Sequence, residues 1–239
     1  MTMDNILSFI MPNLPFLIFI GVFPLMLYLG YLGRQKQKAK MKDIAMKLGL
    51  QLSEGQLFQQ MSRQTQGIHN ARDFNTYQAS QKLAGNNFLK ELISMMTPLA
   101  LTGKYNGSEV RITVVKRDKT TYTEFKTAFP RPLGLGLKIN ANSLLLKQFI
   151  LGQKGKEVQS GNEPFDKKIQ VTGSDPLKIK YLMTLENQRS LLDLFSAHPA
   201  ATVDDQGIIL SVRGFVDDSM KCAAVLDKMA AAARHFSSI

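Results

Sequence analysis

The sequence predicts an α+β protein in which one N-terminal transmembrane helix is followed by a cytoplasmic domain with a mainly antiparallel sheet and packed helices. Three observations carry this expectation. Leu14 to Leu32 is an apolar run without a charged side chain. From Leu99 onward apolar and polar residues alternate around Asn106-Gly107, the period of strands rather than helices. Strand patterns come first and helix patterns later, which favours an α+β domain over a doubly wound sheet. The expected organisation is a lead-in and span over 1–33, a basic collar with an amphipathic helix and a loop-rich helical lead over 34–98, and the α+β domain over 99–239.

The span is expected because a helix rising about 1.5 Å per residue needs about 20 apolar residues to cross a hydrocarbon core of about 30 Å. Asn13 and Pro15 suit the cap and first turn of such a helix, Pro24 is expected to kink it, and Tyr28 and Tyr31 stand where an aromatic belt would lie. No Ala-x-Ala cleavage pattern follows, so the segment reads as a retained signal anchor. Arg34, Lys36, Lys38, Lys40 and Lys42 follow the run, while Asp4 is the one charge before it. That asymmetry predicts single-pass insertion in a bacterial inner (cytoplasmic) membrane, with the N-terminus outside and the C-terminal domain in the cytoplasm. The five cations are then expected to face anionic headgroups, at about 1 kcal/mol each, which makes the lipid bilayer a predicted partner.

Met41, Ile44, Ala45 and Leu48 fall at helical spacing and stop at Gly49, a short amphipathic helix. Arg63 to Asn87 reads as loop, and Phe88, Leu89, Leu92, Ile93 and Met96 as a helix face ending before Pro98. Val110, Ile112 and Val114 then mirror Leu99 and Leu101 across an Asn106-Gly107 hairpin. The turn reading is preferred over the overlapping Asn106-Gly107-Ser108 glycosylation sequence, because the predicted topology puts it in the cytoplasm. Thr120 to Phe129 is expected as a third strand and Leu133 to Ile139 as a fourth, in an antiparallel meander. Ser143 to Leu151 is a short helix pattern, and Lys168 to Val171 a strand. Asp175-Pro176 is a helix start, Thr184 the cap of a Leu-rich helix, and Asp205-Gln206-Gly207 the turn between Ala201–Asp204 and Ile208–Arg213. A last helix follows Asp217-Asp218 and carries Cys222, Leu226, Met229, Ala233 and Phe236 on one face.

The net charge is +11, and the collar supplies nearly half of it, so nucleic-acid binding is not expected. Cys222 is the one cysteine, which excludes an intrachain disulfide and a cysteine-based zinc site. Gly152, Gly155 and Lys156 lack the first glycine and the Ser or Thr of a phosphate loop. Leu133-Gly134-Leu135-Gly136-Leu137 lacks the third glycine of a dinucleotide loop. His69, His198 and His235 are isolated in sequence, and Asp204-Asp205 and Asp217-Asp218 stand where a turn and a helix start favour Asp anyway. No catalytic, cofactor-binding or metal-ligating residue is therefore assigned, and no cofactor is expected. Lys116, Arg117, Lys119, Tyr122, Lys126 and Arg131 interleave basic and aromatic residues along a ribbon and are expected to form a partner surface.

Phe165-Asp166, Ile169, Val171, Asp175-Pro176 and Thr184-Leu185 set a phenylalanine before a strand, a helix begun by Asp-Pro, and a Thr-Leu step into a Leu-rich helix. This arrangement resembles an uncharacterised bacterial family of membrane-anchored domains of unknown function, over residues 99–236. The resemblance implies an N-terminal membrane segment, an α+β cytoplasmic domain and no recognised catalytic set. The expected function is that of a single-span accessory or scaffolding protein whose domain binds a protein partner, as a subunit of a larger membrane complex. A lipid or hydrophobic-ligand binding module is the alternative.

Overall fold

The computed structural model describes residues 3–53, 98–142 and 156–236, with side chains in the opening helix given at Val22, Leu25, Met26 and from Tyr28 onward. That helix, α1, runs Met3–Leu48. It ends where Gly49 adopts φ +67° and Leu50 N donates to Ala45 O at 2.8 Å. A left-handed glycine followed by this backward bond is a Schellman stop, and glycine adopts it without a Cβ penalty. Met41, Ile44 and Ala45 are buried where the end of α1 meets the domain.

The transmembrane helix expected over Leu14–Leu32 is overturned. Among the described residues, no helix is long and apolar enough to cross a membrane. α1 carries the apolar run straight on through Arg34, Lys36, Lys38, Lys40 and Lys42 into the domain core. The helix taken as a whole joins that run to six Lys and Arg side chains, charges that are costly to place in hydrocarbon. Single-pass insertion in a bacterial inner membrane, the outward N-terminus, the cytoplasmic assignment and the bilayer as partner all rested on that span, and they lose their basis with it.

Strands β1 (Gln51–Ser53), β2 (Ala100–Tyr105), β3 (Ser108–Arg117), β4 (Thr120–Ala128), β5 (Lys138–Ala141), β6 (Lys156–Glu157), β7 (Ile169–Gly173), β8 (Thr202–Asp204) and β9 (Gly207–Arg213) form one nine-stranded sheet. Its order is β1-β2-β3-β4-β9-β8-β5-β7-β6, with each pair antiparallel. The helices after α1 are α2 (Glu163–Asp166), α3 (Pro176–Leu182), α4 (Leu185–Ala197) and α5 (Ser219–Phe236). The Asn106-Gly107 hairpin has φ 48° and 84° at its two residues, the left-handed pair that a two-residue turn between twisted strands requires.

The expected meander holds through β4 and then fails. The chain after β4 does not return beside it: β9 and β8 lie between β4 and β5. The expected fourth strand also shrinks, because Leu133 to Leu137 is a loop and β5 begins at Lys138. The helices expected over Phe88–Met96 and Ser143–Leu151, and the Arg63–Asn87 loop, lie outside the described residues.

One face of the sheet is the core. Val110, Ile112, Phe125, Ile208 and Leu210 point to it from β3, β4 and β9, with Ile139, Val171 and Val203 continuing it along β5, β7 and β8. α5 packs over β3, β4 and β9, and α4 packs on α5. The buried face of α5 is Cys222, Leu226, Met229, Ala233 and Phe236, the stripe read from its spacing, with Val225, Ala230 and Ala232 widening it. Asp175 caps α3 by accepting from Lys178 N, and Thr184 caps α4 by accepting from Asn187 N. The last carbonyls of α3 are met from α4: Asn187 Nδ2 donates to Leu182 O at 2.5 Å and Gln188 Nε2 to Met183 O at 2.8 Å. Buried amides here satisfy groups that a helix end leaves without partners.

Candidate functional site

The second face of the sheet has a different chemistry. Side chains alternate across a strand, so the residues between the core positions of β3, β4 and β9 share this face. Registered cross-strand neighbours there form three rows: Arg111, Lys126 and Ile209; Thr113, Glu124 and Ser211; and Val115, Tyr122 and Arg213. With strands spaced about 4.8 Å apart and residues rising about 3.3 Å, the grid measures roughly 10 by 13 Å.

Glu124 is its hub. The side chain is 11% exposed, and its carboxylate takes Arg117 Nη2 at 2.5 Å and Lys126 Nζ at 3.3 Å. Ser211 Oγ lies 3.5 Å from the same carboxylate. A buried charge is tolerated when it is paired and hydrogen-bonded, and here both cations reach in from the rim. Arg117 also lies 5.8 Å from the centre of the Tyr122 ring, within cation–π range. Arg111 Nε donates to Thr113 Oγ1 at 3.3 Å. Among the described residues, Arg111 and Arg213 have no carboxylate partner.

The expected partner surface is thus divided. Arg117, Tyr122 and Lys126 stand together on this face, which α5 leaves open among the described residues. Lys116, one residue from Arg117, registers with Thr121 on the opposite side of the sheet. Lys119 belongs to the turn between β3 and β4, and Arg131 lies beyond the other end of β4, roughly 30 Å of strand away. Arg111, Glu124 and Arg213 were missed. The alternation of β3 against Val110 and Ile112 identifies Arg111 as outward-facing, but only the pairing of β4 with β9 brings Arg213 onto the same face, at the opposite corner of the grid.

Of the five collar cations, all on α1, Lys40 forms an ion pair with Asp217 that ties the helix to the segment before α5. The hydrogen bond from Lys40 holds the Asp217 carboxyl below its usual range. Arg34 and Lys38 also have interaction partners.

A cleft of about 810 Å³ opens at the edge of the molecule, lined by the Pro130–Leu133 segment, Leu135, Lys178, Tyr181, Leu182, Thr184 and Phe236. Its loop wall is held by Asp205, whose carboxylate accepts from Leu135 N at 3.0 Å, Gly136 N at 2.8 Å and Leu137 N at 3.0 Å. Gly134 and Gly136 adopt φ +66° and +59°, so the amides converge into an anion-binding nest. The glycine pattern that suggested a fragment of a dinucleotide loop has its amides occupied by the chain's own carboxylate.

Reactive groups elsewhere are structurally engaged. Asp204 accepts from Gln206 N and Gly207 N, and Asp218 from Met220 N. His235 Nδ1 lies 3.3 Å from Glu186, and burial, with Lys228 nearby, pushes the His198 pKa down. Among the described residues, no group of three or more His, Cys, Asp and Glu side chains could hold a metal. Cys222 is buried; burial, reinforced by Asp218 and Asp217, pushes its thiol up to about 11. Thiolate is the reactive form, so a disulfide reagent at pH 8 is expected to label native protein far more slowly than denaturant-unfolded protein. Equal rates would contradict this burial.

Compared with family models, characterised proteins and solved structures, the chain matches none.

Proposed function

We propose that this protein is an accessory or scaffolding protein whose α+β domain docks an acidic segment of a protein partner on the open face of its sheet. One observation carries the reading most directly: the face already holds a carboxylate. Glu124 sits between Arg117 and Lys126, while Arg111 and Arg213 flank it with no such partner among the described residues. An Asp or Glu from another chain would complete for these two arginines the pairing that Glu124 makes for its neighbours. Arginine suits that task because its planar guanidinium can meet a carboxylate with two parallel bonds. The net charge of +11 favours encounter with an acidic partner. Tyr122 and Val115 supply apolar contact area between the charges.

The double variant Arg111→Glu/Arg213→Glu tests this. Both residues project from the polar face, and the fold is expected to survive. Recovery of the native partner with tagged full-length protein should fall at least ten-fold, and wild-type recovery should weaken as salt rises from 50 to 500 mM, because rim charges are screened. Unchanged recovery by the double variant, or a wild-type protein that runs as a lone monomer and crosslinks to nothing in intact cells, would sink the reading.

A further inference from the structure

We propose that the cleft between the Pro130–Leu137 loop and α3 binds a medium-chain monocarboxylate, its hydrocarbon tail on the apolar floor and its head at the cationic rim. The cleft is separate from the open sheet face, so this proposal stands or falls independently of partner docking. Its volume of about 810 Å³ lies within the range of small-molecule sites, about 300–1,000 Å³. Leu182 and Phe236 line it from the helices and Leu133 and Leu135 from the loop. Phe236 is itself stacked on Phe129 at 5.2 Å between ring centres, which fixes the floor.

The polar residues of the lining are Arg131, Lys178, Tyr181 and Thr184. Lys178 lies 3.4 Å from Asp175, which is already engaged in capping α3. Arg131 has no carboxylate partner among the described residues. A cation without a counter-charge beside an apolar floor is complementary to an apolar ligand with one negative head.

The wall argues against a peptide in the same place. Extended peptides are recognised through main-chain hydrogen bonds, and this loop has few amides to give. Pro130 and Pro132 lack an N–H. Leu133 N is bonded to Asp205 O at 2.9 Å, and the amides of Leu135, Gly136 and Leu137 are bonded to the Asp205 carboxylate. Those bonds also make the wall rigid, so little ordering cost accompanies binding.

Calorimetric titration of the full chain with sodium octanoate, kept below its micelle concentration, tests the site. Saturable one-site binding is expected, with octanol at least ten-fold weaker because it lacks the charged head. Arg131→Gln, an exposed position whose change leaves the core intact, should weaken octanoate about ten-fold and leave octanol unaltered. Leu133→Trp should obstruct the apolar wall and weaken both. Absence of saturation, an octanoate affinity unaltered by Arg131→Gln, or a short apolar peptide with an amidated C-terminus that binds more tightly than octanoate would overturn the proposal.

Discussion

Phe125→Ala is expected to destabilise the domain by about 3–5 kcal/mol, the usual cost of emptying a phenylalanine site in a packed core. Phe125 is fully buried at the middle of β4, with Ile112 of β3 and Leu210 of β9 as its registered neighbours and α5 packed over the strand. Three strands and one helix converge there, so the void cannot close by moving a single element. Domains of this size hold about 5–15 kcal/mol in total, and the variant should lie close to the limit of folding. Urea unfolding followed by circular dichroism gives the value. A loss below about 1 kcal/mol would mean that this face of β4 is not the core.

Asp205→Ala is expected to cost about 3 kcal/mol, because charge-assisted hydrogen bonds are worth about 1.5–3 kcal/mol each and partial exposure discounts their sum. The three amides of Leu135, Gly136 and Leu137 lose their common acceptor. The residues around them include two glycines in left-handed backbone, which gain much freedom on release. Asp205→Asn retains one acceptor oxygen and should fall between wild type and Ala. The midpoint of urea unfolding should fall with little change in slope, since the rest of the fold remains. A midpoint equal to that of wild type would show that the loop is held by other contacts, such as the bonds from Ser174 N and Oγ to Leu135 O at 2.8 and 2.6 Å.

Features settled within a few residues could be read directly from the chain. Gly49 as a helix stop, Asn106-Gly107 as a hairpin, Asp175-Pro176 and Thr184 as helix starts, and the apolar stripe of α5 each follow from backbone sterics or local hydrogen bonding. Strand order is different, because placing β9 and β8 between β4 and β5 depends on contacts distant in sequence. Leu133 to Leu137 mimics a strand by its period of two, but left-handed glycines and a carboxylate some seventy residues away turn the same residues into a nest. The apolar run before Arg34 was read by composition alone, and such a reading has no access to how the helix continues into the domain.

The open face shows the same division. Arg117, Tyr122 and Lys126 are near neighbours on one hairpin, so sequence proximity alone groups them. Lys116 was grouped with them by sequence proximity, although adjacent strand residues face opposite sides. Glu124 is indistinguishable in sequence from a solvated strand residue, because its role depends on being buried between Arg117 and Lys126. Arg213 needed the β4–β9 pairing to become part of the patch at all.

Site-specific photo-crosslinking in intact cells tests the docking face most directly. A benzoylphenylalanine at Tyr122 places the probe on the middle strand of the open face, next to Arg213, and one at Lys228, an exposed position on α5, places it on the helical side. The expected result is one discrete crosslinked polypeptide from position 122, lost in the Arg111→Glu/Arg213→Glu background, and none from position 228. The same product from both positions, or from position 228 alone, would contradict docking on the open face of the sheet.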